Sequence, residues 1–323
     1  MAKKRALVTG ISGQDGAYLA AHLLKLDYEV IGTSRDAQMA SFKNLSRLGI
    51  REQVALESLA SNDFRSVLQV LEKVRPDEIY NLAGQSSVSL SFHQPVETLD
   101  SISVSTLNFL ECIRFLRRPI RFYNAGSSEC FGEAEGGPCT ETSPFRPRSP
   151  YAVAKATAFW QVANYRDAYG LYACSGILFN HESPLRPDRF VTQKIARAAV
   201  RIARGEQDML ELGDTSVIRD WGWAPEYVEA MHGMLQQPEP ADFVIATGES
   251  CTLFHFAEVV FQELGLDPNR YIRTDKSLLR PSEIRVGRGD PTNAATKLGW
   301  VARTRMPEVA KNLVNSFQEV SIE

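Results

Sequence analysis

The stretch Arg5-Ala6-Leu7-Val8-Thr9-Gly10-Ile11-Ser12-Gly13-Gln14-Asp15-Gly16 decides the fold. Its first five residues form a short apolar strand, three spaced glycines interrupt the chain, and Tyr18-Leu19-Ala20-Ala21-His22-Leu23-Leu24 follows at helical spacing. Glu29-Val30-Ile31-Gly32-Thr33 reads as a second strand, which completes a strand, turn, helix and strand between residues 5 and 33. Three glycines alone could mark any tight turn. Between a strand and a helix they leave no side chain in the way of a pyrophosphate, and the helix N-terminus favours its negative charge. Gly10, Gly13, Gln14, Asp15 and Gly16 are therefore candidate dinucleotide-binding residues.

Working outward, further strands are predicted at Val54-Ala55-Leu56, from Glu78 to Leu82, from Arg121 to Ala125 and from Ala173 to Leu178, with helical patterns between them. This alternation predicts an α/β protein, a Rossmann-type doubly wound parallel sheet with ligands across its carboxyl edge. Beyond about residue 180 the pattern loosens and is richer in Arg, Pro and Trp. Helices are predicted from Phe190 to Arg204, Pro225 to Gln236, Thr252 to Leu264 and Met306 to Phe317, with a short strand at Leu210-Leu212. Phe243-Val244-Ile245-Ala246 reads as a strand returning to the main sheet. The organisation is a cofactor-binding domain over 1–180 and a smaller C-terminal substrate-binding lobe over 181–323, interleaved with it.

A chain of 323 residues with 44% hydrophobic and 23% charged residues can bury a large core. A net charge of −3 gives no electrostatic reason to expect nucleic acid. The apolar run after Lys3-Lys4-Arg5 is too short for a membrane span or signal core, so the expected location is the cytoplasm. Five scattered cysteines without CxxC spacing, and histidines without ligand spacing, point to a reducing compartment and no metal. Cys130 is read as a packing residue, since no basic partner for a nucleophilic thiol is evident.

The chemistry concentrates in Ser127-Ser128-Glu129 and in Tyr151 and Lys155. Ser149-Pro150-Tyr151 reads as N-cap, N1 and first turn, which places Tyr151 and Lys155 one turn apart on one helix face. There the ammonium is expected to lower the phenol pKa from about 10, suiting oxidation of a sugar hydroxyl. Ser127 and Glu129, at alternate positions past the Arg121–Ala125 strand, are expected to point the same way. A glutamate beside a new ketone can remove the neighbouring carbon-bound proton, so the set reads as an internal redox dehydration.

Other segments carry two readings. Asn81-Leu82-Ala83-Gly84-Gln85-Ser86 is small and polar enough for a dinucleotide to cross the strand end, making Leu82, Ala83, Gln85 and Ser86 candidate contacts; equally, it is a helix entry capped by Ser86 or Ser87. Arg35, at the end of the second strand, favours NADP through its 2′-phosphate, tempered by Asp36. Arg186, Lys194, Arg219 and Arg280 are each ordinary surface charges alone, but together they suggest a pocket for a sugar diphosphate.

These residues together resemble the extended short-chain dehydrogenase/reductase family, and within it the dehydratases of GDP-linked hexoses. The similarity covers Thr9 to Gly16, Arg148 to Lys155, Gly176 to Pro184, Asp242 to Gly248, Arg280 to Glu283 and Leu298 to Trp300. It implies that Ser127 bonds the sugar O4, Glu129 is the base, and Tyr151 and Lys155 are the redox pair, acting with NADP on GDP-D-mannose. It also implies that His181 and Arg186 lie on the cofactor side and that Asn180, Lys194, Arg219, Arg280 and Glu283 contact the GDP portion. Ser86 and Ser128 are expected beside the substrate, and a homodimer or homotetramer is implied.

Four departures stand out: Ser127 replaces a threonine, Glu97 a tyrosine, Asp36 a second arginine, and no Gly-Asp precedes Asn62-Asp63. A related GDP-hexose or GDP-heptose is the alternative substrate. The alternative functions are a nucleotide-sugar epimerase or reductase, which would not need Glu129, and a non-catalytic NADP-binding protein.

Overall fold

In the computed structural model, which describes residues 3–134 and 136–319, seven parallel strands form the main sheet. β1 (Arg5–Thr9), β2 (Glu29–Ser34), β3 (Ala55–Ser58), β4 (Glu78–Asn81), β5 (Arg121–Ala125) and β6 (Ala173–Leu178) come first in the chain. β7 (Asn180–Glu182), β8 (Leu210–Leu212) and β9 (Ile218–Trp223) lie outside that sheet, β10 (Phe243–Ile245) rejoins it, and β11 (Ser250–Thr252) and β12 (Ile272–Thr274) lie outside again. The order β3-β2-β1-β4-β5-β6-β10 reverses direction between β1 and β4, which opens a crevice at the carboxyl edge there.

The inner strands are buried on both faces, the pattern of a sheet covered by helices on both sides. β3 is the exposed edge, and its register begins one residue later than its apolar run suggested. Along the carboxyl edge the apolar pattern gives way to a buried polar ladder between register neighbours. Thr9 Oγ1 donates to Asn81 Oδ1 at 3.1 Å, Asn81 Nδ2 to Asn124 Oδ1 at 3.3 Å, and Asn124 Nδ2 to Ser175 Oγ at 3.3 Å. Every one of these groups is buried, so a slip of one residue would strand several unpaired polar atoms.

The helix Pro150–Tyr169 starts as its sequence requires, with Ser149 Oγ accepting from Ala152 N at 3.1 Å and Pro150 at N1, and it ends on Gly170 at φ +67°. The second lobe packs Ile195, Trp221, Phe256, Phe261 and Leu313 into a core of its own. Tyr227, Met231 and Met234 of the helix Ala224–Leu235 share a buried cluster with Leu19 and Leu23 of the helix Gln14–Lys25, and β10 follows. Only Phe179 separates β6 from β7, so the chain crosses between lobes at the sheet's carboxyl edge.

Candidate active site

The cofactor turn is built by close approach. Gly10 adopts φ +68°, and a Cβ there would come within 3.0 Å of the Leu82–Ala83 backbone. Thr9 Oγ1 accepts from the N–H groups of Leu82 (3.0 Å) and Ala83 (2.9 Å), so these residues are held at the crevice through their backbone. Gly13 is the N-cap of the helix Gln14–Lys25, and no side chain caps it. An uncapped helix N-terminus behind a glycine cradle fits a pyrophosphate.

The side chains of Gln14 and Asp15 turn away from that cradle toward the second lobe. Ser183 Oγ donates to Gln14 Oε1 at 2.7 Å, and Asp15 Oδ2 lies 3.0 Å from His181 Nε2. His181 Nδ1 lies 2.7 Å from Phe179 O, so both ring nitrogens face acceptors and both carry protons. Burial alone would lower the His181 pKa, but the Asp15 carboxylate outweighs it and raises the value. Burial likewise pushes Asp15 up, and His181 with Gln14 brings it down to about 2. Residues matched to the cofactor side thus form a part-buried ion pair that fastens the cofactor turn to β7. Arg186 is engaged in a similar way: its guanidinium donates to Glu182 Oε1 at 2.9 Å and to His181 O.

At the catalytic corner, Ser127 caps a short 3-10 turn, Ser128–Phe131, with Oγ accepting from Glu129 N at 3.3 Å. This turn, rather than continued strand alternation, places Glu129. Burial raises the Glu129 pKa, Arg219 and Arg280 pull it back, and Glu283 adds to the rise. Lys155 is buried, donates from Nζ to Ala125 O at 2.7 Å, and is drawn down to about 8 by burial. Burial moves Tyr151 above its ordinary value, opposed by a hydrogen bond with Ser127. The Lys155 ammonium lies 5.8 Å from the Tyr151 ring centroid, so the pair is assembled, but burial raises the phenol instead of the expected lowering, and Ser127 and Arg186 are the groups that oppose the rise. Cys130, behind the turn, faces Ala152 O, and burial pushes its thiol up to about 12, which suits packing and not attack.

On the substrate side, Arg219 Nη2 and Arg280 Nη1 donate to the same Glu283 oxygen at 2.9 and 3.1 Å. Two guanidiniums on one carboxylate leave a net positive cluster whose field reaches Glu129. Asn180 opens β7 in register with Trp221 of β9, two residues after Arg219 in the chain. Ser128 is half-buried at the start of the catalytic turn. Lys194 donates to Glu211 O at 2.6 Å on an exposed surface. Gln85 is used internally, donating to Ser87 O at 2.8 Å, and Ser87 caps the helix Val88–His93, so the helix-entry reading holds for Ser87. Ser86 accepts from Arg189 Nη2 at 3.2 Å, a partner not anticipated from sequence. Thr9 was also missed, although a hydroxyl ending an apolar strand is a legible signal.

At the far end of the crevice the Arg35 side chain is 88% exposed and lies 3.9 Å from Glu97. The Asp36 carboxylate caps its own turn, accepting from Gln38 N at 2.9 Å and Met39 N at 3.0 Å.

Solved structures share this fold. A dTDP-glucose 4,6-dehydratase of Bacillus anthracis in complex with NAD matches with a TM-score of 0.84 at 18% identity, covering 98% of this chain and 97% of that one. A Pseudomonas aeruginosa protein complexed with NADPH matches with a TM-score of 0.80 at 23% identity, covering 98% of each chain. The family model described as GDP-mannose 4,6 dehydratase matches residues 7–313. GDP-mannose 4,6 dehydratase 1 of Arabidopsis thaliana is 44% identical, over 99% of this chain and 91% of its own length. The chain belongs to the GDP-mannose 4,6-dehydratase family.

Proposed function

We propose that this protein carries out the reaction for which its family is named, converting GDP-D-mannose to GDP-4-keto-6-deoxy-D-mannose with loss of water. The observation that carries the reading is Glu129, a half-buried carboxylate on the turn capped by Ser127, next to Tyr151 and within the field of the Arg219–Glu283–Arg280 cluster. A bound nicotinamide cofactor would supply the redox chemistry, with hydride leaving C4 and returning at C6 while C5 gains a proton to balance the one taken from O4, so that no net oxidant is consumed.

In this reading Tyr151 accepts the O4 proton, with Ser127 holding the phenol and Lys155 supplying positive charge nearby. The C4 ketone acidifies H5, and Glu129 removes that proton and protonates the departing C6 hydroxyl. Its raised pKa suits a group that must both take and give a proton. The arginine pair holds the diphosphate. The glycine turn, the backbone of Leu82 and Ala83, and Arg35 hold the cofactor, with Arg35 favouring NADP.

We further place the protein in the cytoplasm; no helix among the described residues is long and apolar enough to cross a membrane. A homodimer or homotetramer is supported by Val96, Phe115, Val153 and Trp160, large apolar side chains left exposed on or beside the paired helices Ser105–Leu116 and Pro150–Tyr169.

The test is incubation with GDP-mannose and measurement of product mass. Loss of one water is the expected result. Unchanged mass would favour an epimerase or an inactive protein, and a gain of two hydrogens with added NADPH would favour a reductase. Parallel incubation with other GDP-hexoses decides the sugar.

A further inference from the structure

Glu133 belongs to none of the groups above, yet it joins the two halves of the site. The catalytic turn ends at Gly132, which adopts φ +69° and whose Cβ, if present, would collide with Arg146 O, so the chain reverses sharply after Phe131. At the next residue, Glu133 Oε2 accepts from Arg285 N at 2.9 Å and Oε1 from Val286 N at 2.8 Å, while Ala134 N donates to Val286 O at 3.0 Å. The segment so held is itself paired with β9. Ile218 N donates to Arg285 O at 2.7 Å and Gly287 N to Ile218 O at 2.9 Å. Arg219 follows Ile218, and Glu283, two residues before Arg285, takes both Arg219 and Arg280. One carboxylate, four residues beyond Glu129 in the chain, therefore fixes the strip that carries the anion-binding cluster.

We propose that Glu133 is a positioning residue that holds the Arg219–Glu283–Arg280 cluster in register with Glu129, so that a diphosphate bound to the cluster presents the attached sugar to Glu129. The inference rests on the dehydratase reading of the site. Two adjacent backbone N–H groups satisfied by one carboxylate are a rigid fastening, and each bond is charge-assisted. Removing the carboxylate leaves both donors without their acceptor and frees the strip to move away from the catalytic turn.

The experiment compares the parent with Glu133→Ala and Glu133→Gln by calorimetric titration with GDP and separately with NADP+, and by turnover of GDP-mannose across pH. Glu133→Ala should weaken GDP binding and raise KM by at least about tenfold, the scale of one charge-assisted hydrogen bond, with NADP+ affinity within about twofold of the parent. Glu133→Gln keeps one accepting oxygen at the same size and should fall between, which keeps the test open should the alanine variant not fold.

A second readout separates positioning from general loosening. The charged and titratable groups around Glu129 are Arg219, Arg280 and Glu283 on the strip, Tyr151 and Lys155 on the helix Pro150–Tyr169, and Cys130 on its own turn. Retreat of the guanidiniums should move the acid limb of the kcat profile to higher pH. Unchanged GDP affinity and an unmoved acid limb in both variants would overturn the proposal, as would a loss of NADP+ affinity equal to the loss of GDP affinity. GDP titration does not depend on turnover, so a parent that fails to dehydrate GDP-mannose overturns the functional reading and leaves the fastening to be judged on GDP alone.

Discussion

On the β5 side of the crevice, Lys155 is 9% exposed and fastened to Ala125 O at 2.7 Å, whereas at the end of β2 the Arg35 side chain is 88% exposed and faces Glu97 across 3.9 Å. The first corner is positioned by backbone: a strand end, a capped 3-10 turn and the first turns of a capped helix. The second is positioned by the free ends of two long side chains. Removing one atom from the first should be felt in full, because the surrounding groups cannot move to replace it, while the second can rearrange around a change.

The largest effects should come from the catalytic corner. Tyr151→Phe removes the phenol that takes the O4 proton and leaves its ring in place. Turnover of GDP-mannose should fall at least about a hundredfold, the scale of positioned acid–base catalysis, and reduction of bound cofactor should fall with it. A variant that reduced its cofactor as fast as the parent would transfer the base role to another group and dissolve the contrast between the corners. Glu129→Gln should separate the steps. C4 oxidation remains open, so absorbance of reduced cofactor should appear on adding substrate, while dehydrated product falls by about a hundredfold or more because the amide is not a useful base. Near-normal product formation would take Glu129 out of the chemistry.

Between the two corners sits the Asp15–His181 pair, part-buried and holding the cofactor turn that serves the second. Asp15→Asn leaves the buried imidazolium without its counter-charge and should destabilise the protein by about 3–5 kcal/mol, read as a lowered midpoint in urea. The pH dependence follows from the directions of the two shifts. His181 is raised in the folded state, so its contribution is complete below its ordinary value of 6.5 and is lost as pH rises through the folded value. Asp15 is lowered to about 2, so its contribution is complete above its ordinary 3.8 and is lost as pH falls through about 2. The parent should therefore lose stability as pH rises past 6.5 and through the raised folded value, and His181→Gln should flatten that part of the profile. A parent profile already flat there would mean that the imidazole is neutral and the pair is only a hydrogen bond.

The same contrast explains what could be read before the fold was known. The turn from Thr9 to Gly16, the helix opened by Ser149-Pro150 and the return of Phe243–Ile245 to the sheet are specified by residues within a few positions of one another, and all three stand where their local pattern placed them. Glu129 stands next to Tyr151 as its place in the sequence suggested, although a 3-10 turn and not strand alternation presents it. The long charged side chains were harder. Arg186 had several acceptors within reach and is held by Glu182, and Asp36 turned to the amides of its own loop. The two hydrogen bonds of Glu133 span about 150 residues of chain, with no periodicity or spacing to announce them. Such choices are set by tertiary competition among partners, which a local pattern does not encode.

The smallest effect should be at Arg35, where the looser corner can be tuned in both directions. A guanidinium beside a 2′-phosphate contributes a charge-assisted bond that NAD cannot make, so Arg35→Ala should lower NADP+ affinity by about tenfold and leave NAD+ affinity little changed. Glu97 is the carboxylate facing that guanidinium, and Asp36 is engaged with its own turn. Glu97→Gln should therefore strengthen NADP+ binding, whereas Asp36→Asn should not. Both partners are largely exposed and screened by solvent, so the gain for Glu97→Gln should stay within the roughly 0–1 kcal/mol of an exposed ion pair, at most about fivefold. Titration of the three variants with NADP+ and NAD+ at low and moderate salt measures this directly, and the gain should shrink as salt rises. Equal affinities for the two cofactors in the parent would show that Arg35 does not meet a phosphate, and a larger gain from Asp36→Asn than from Glu97→Gln would return the tuning role to the loop.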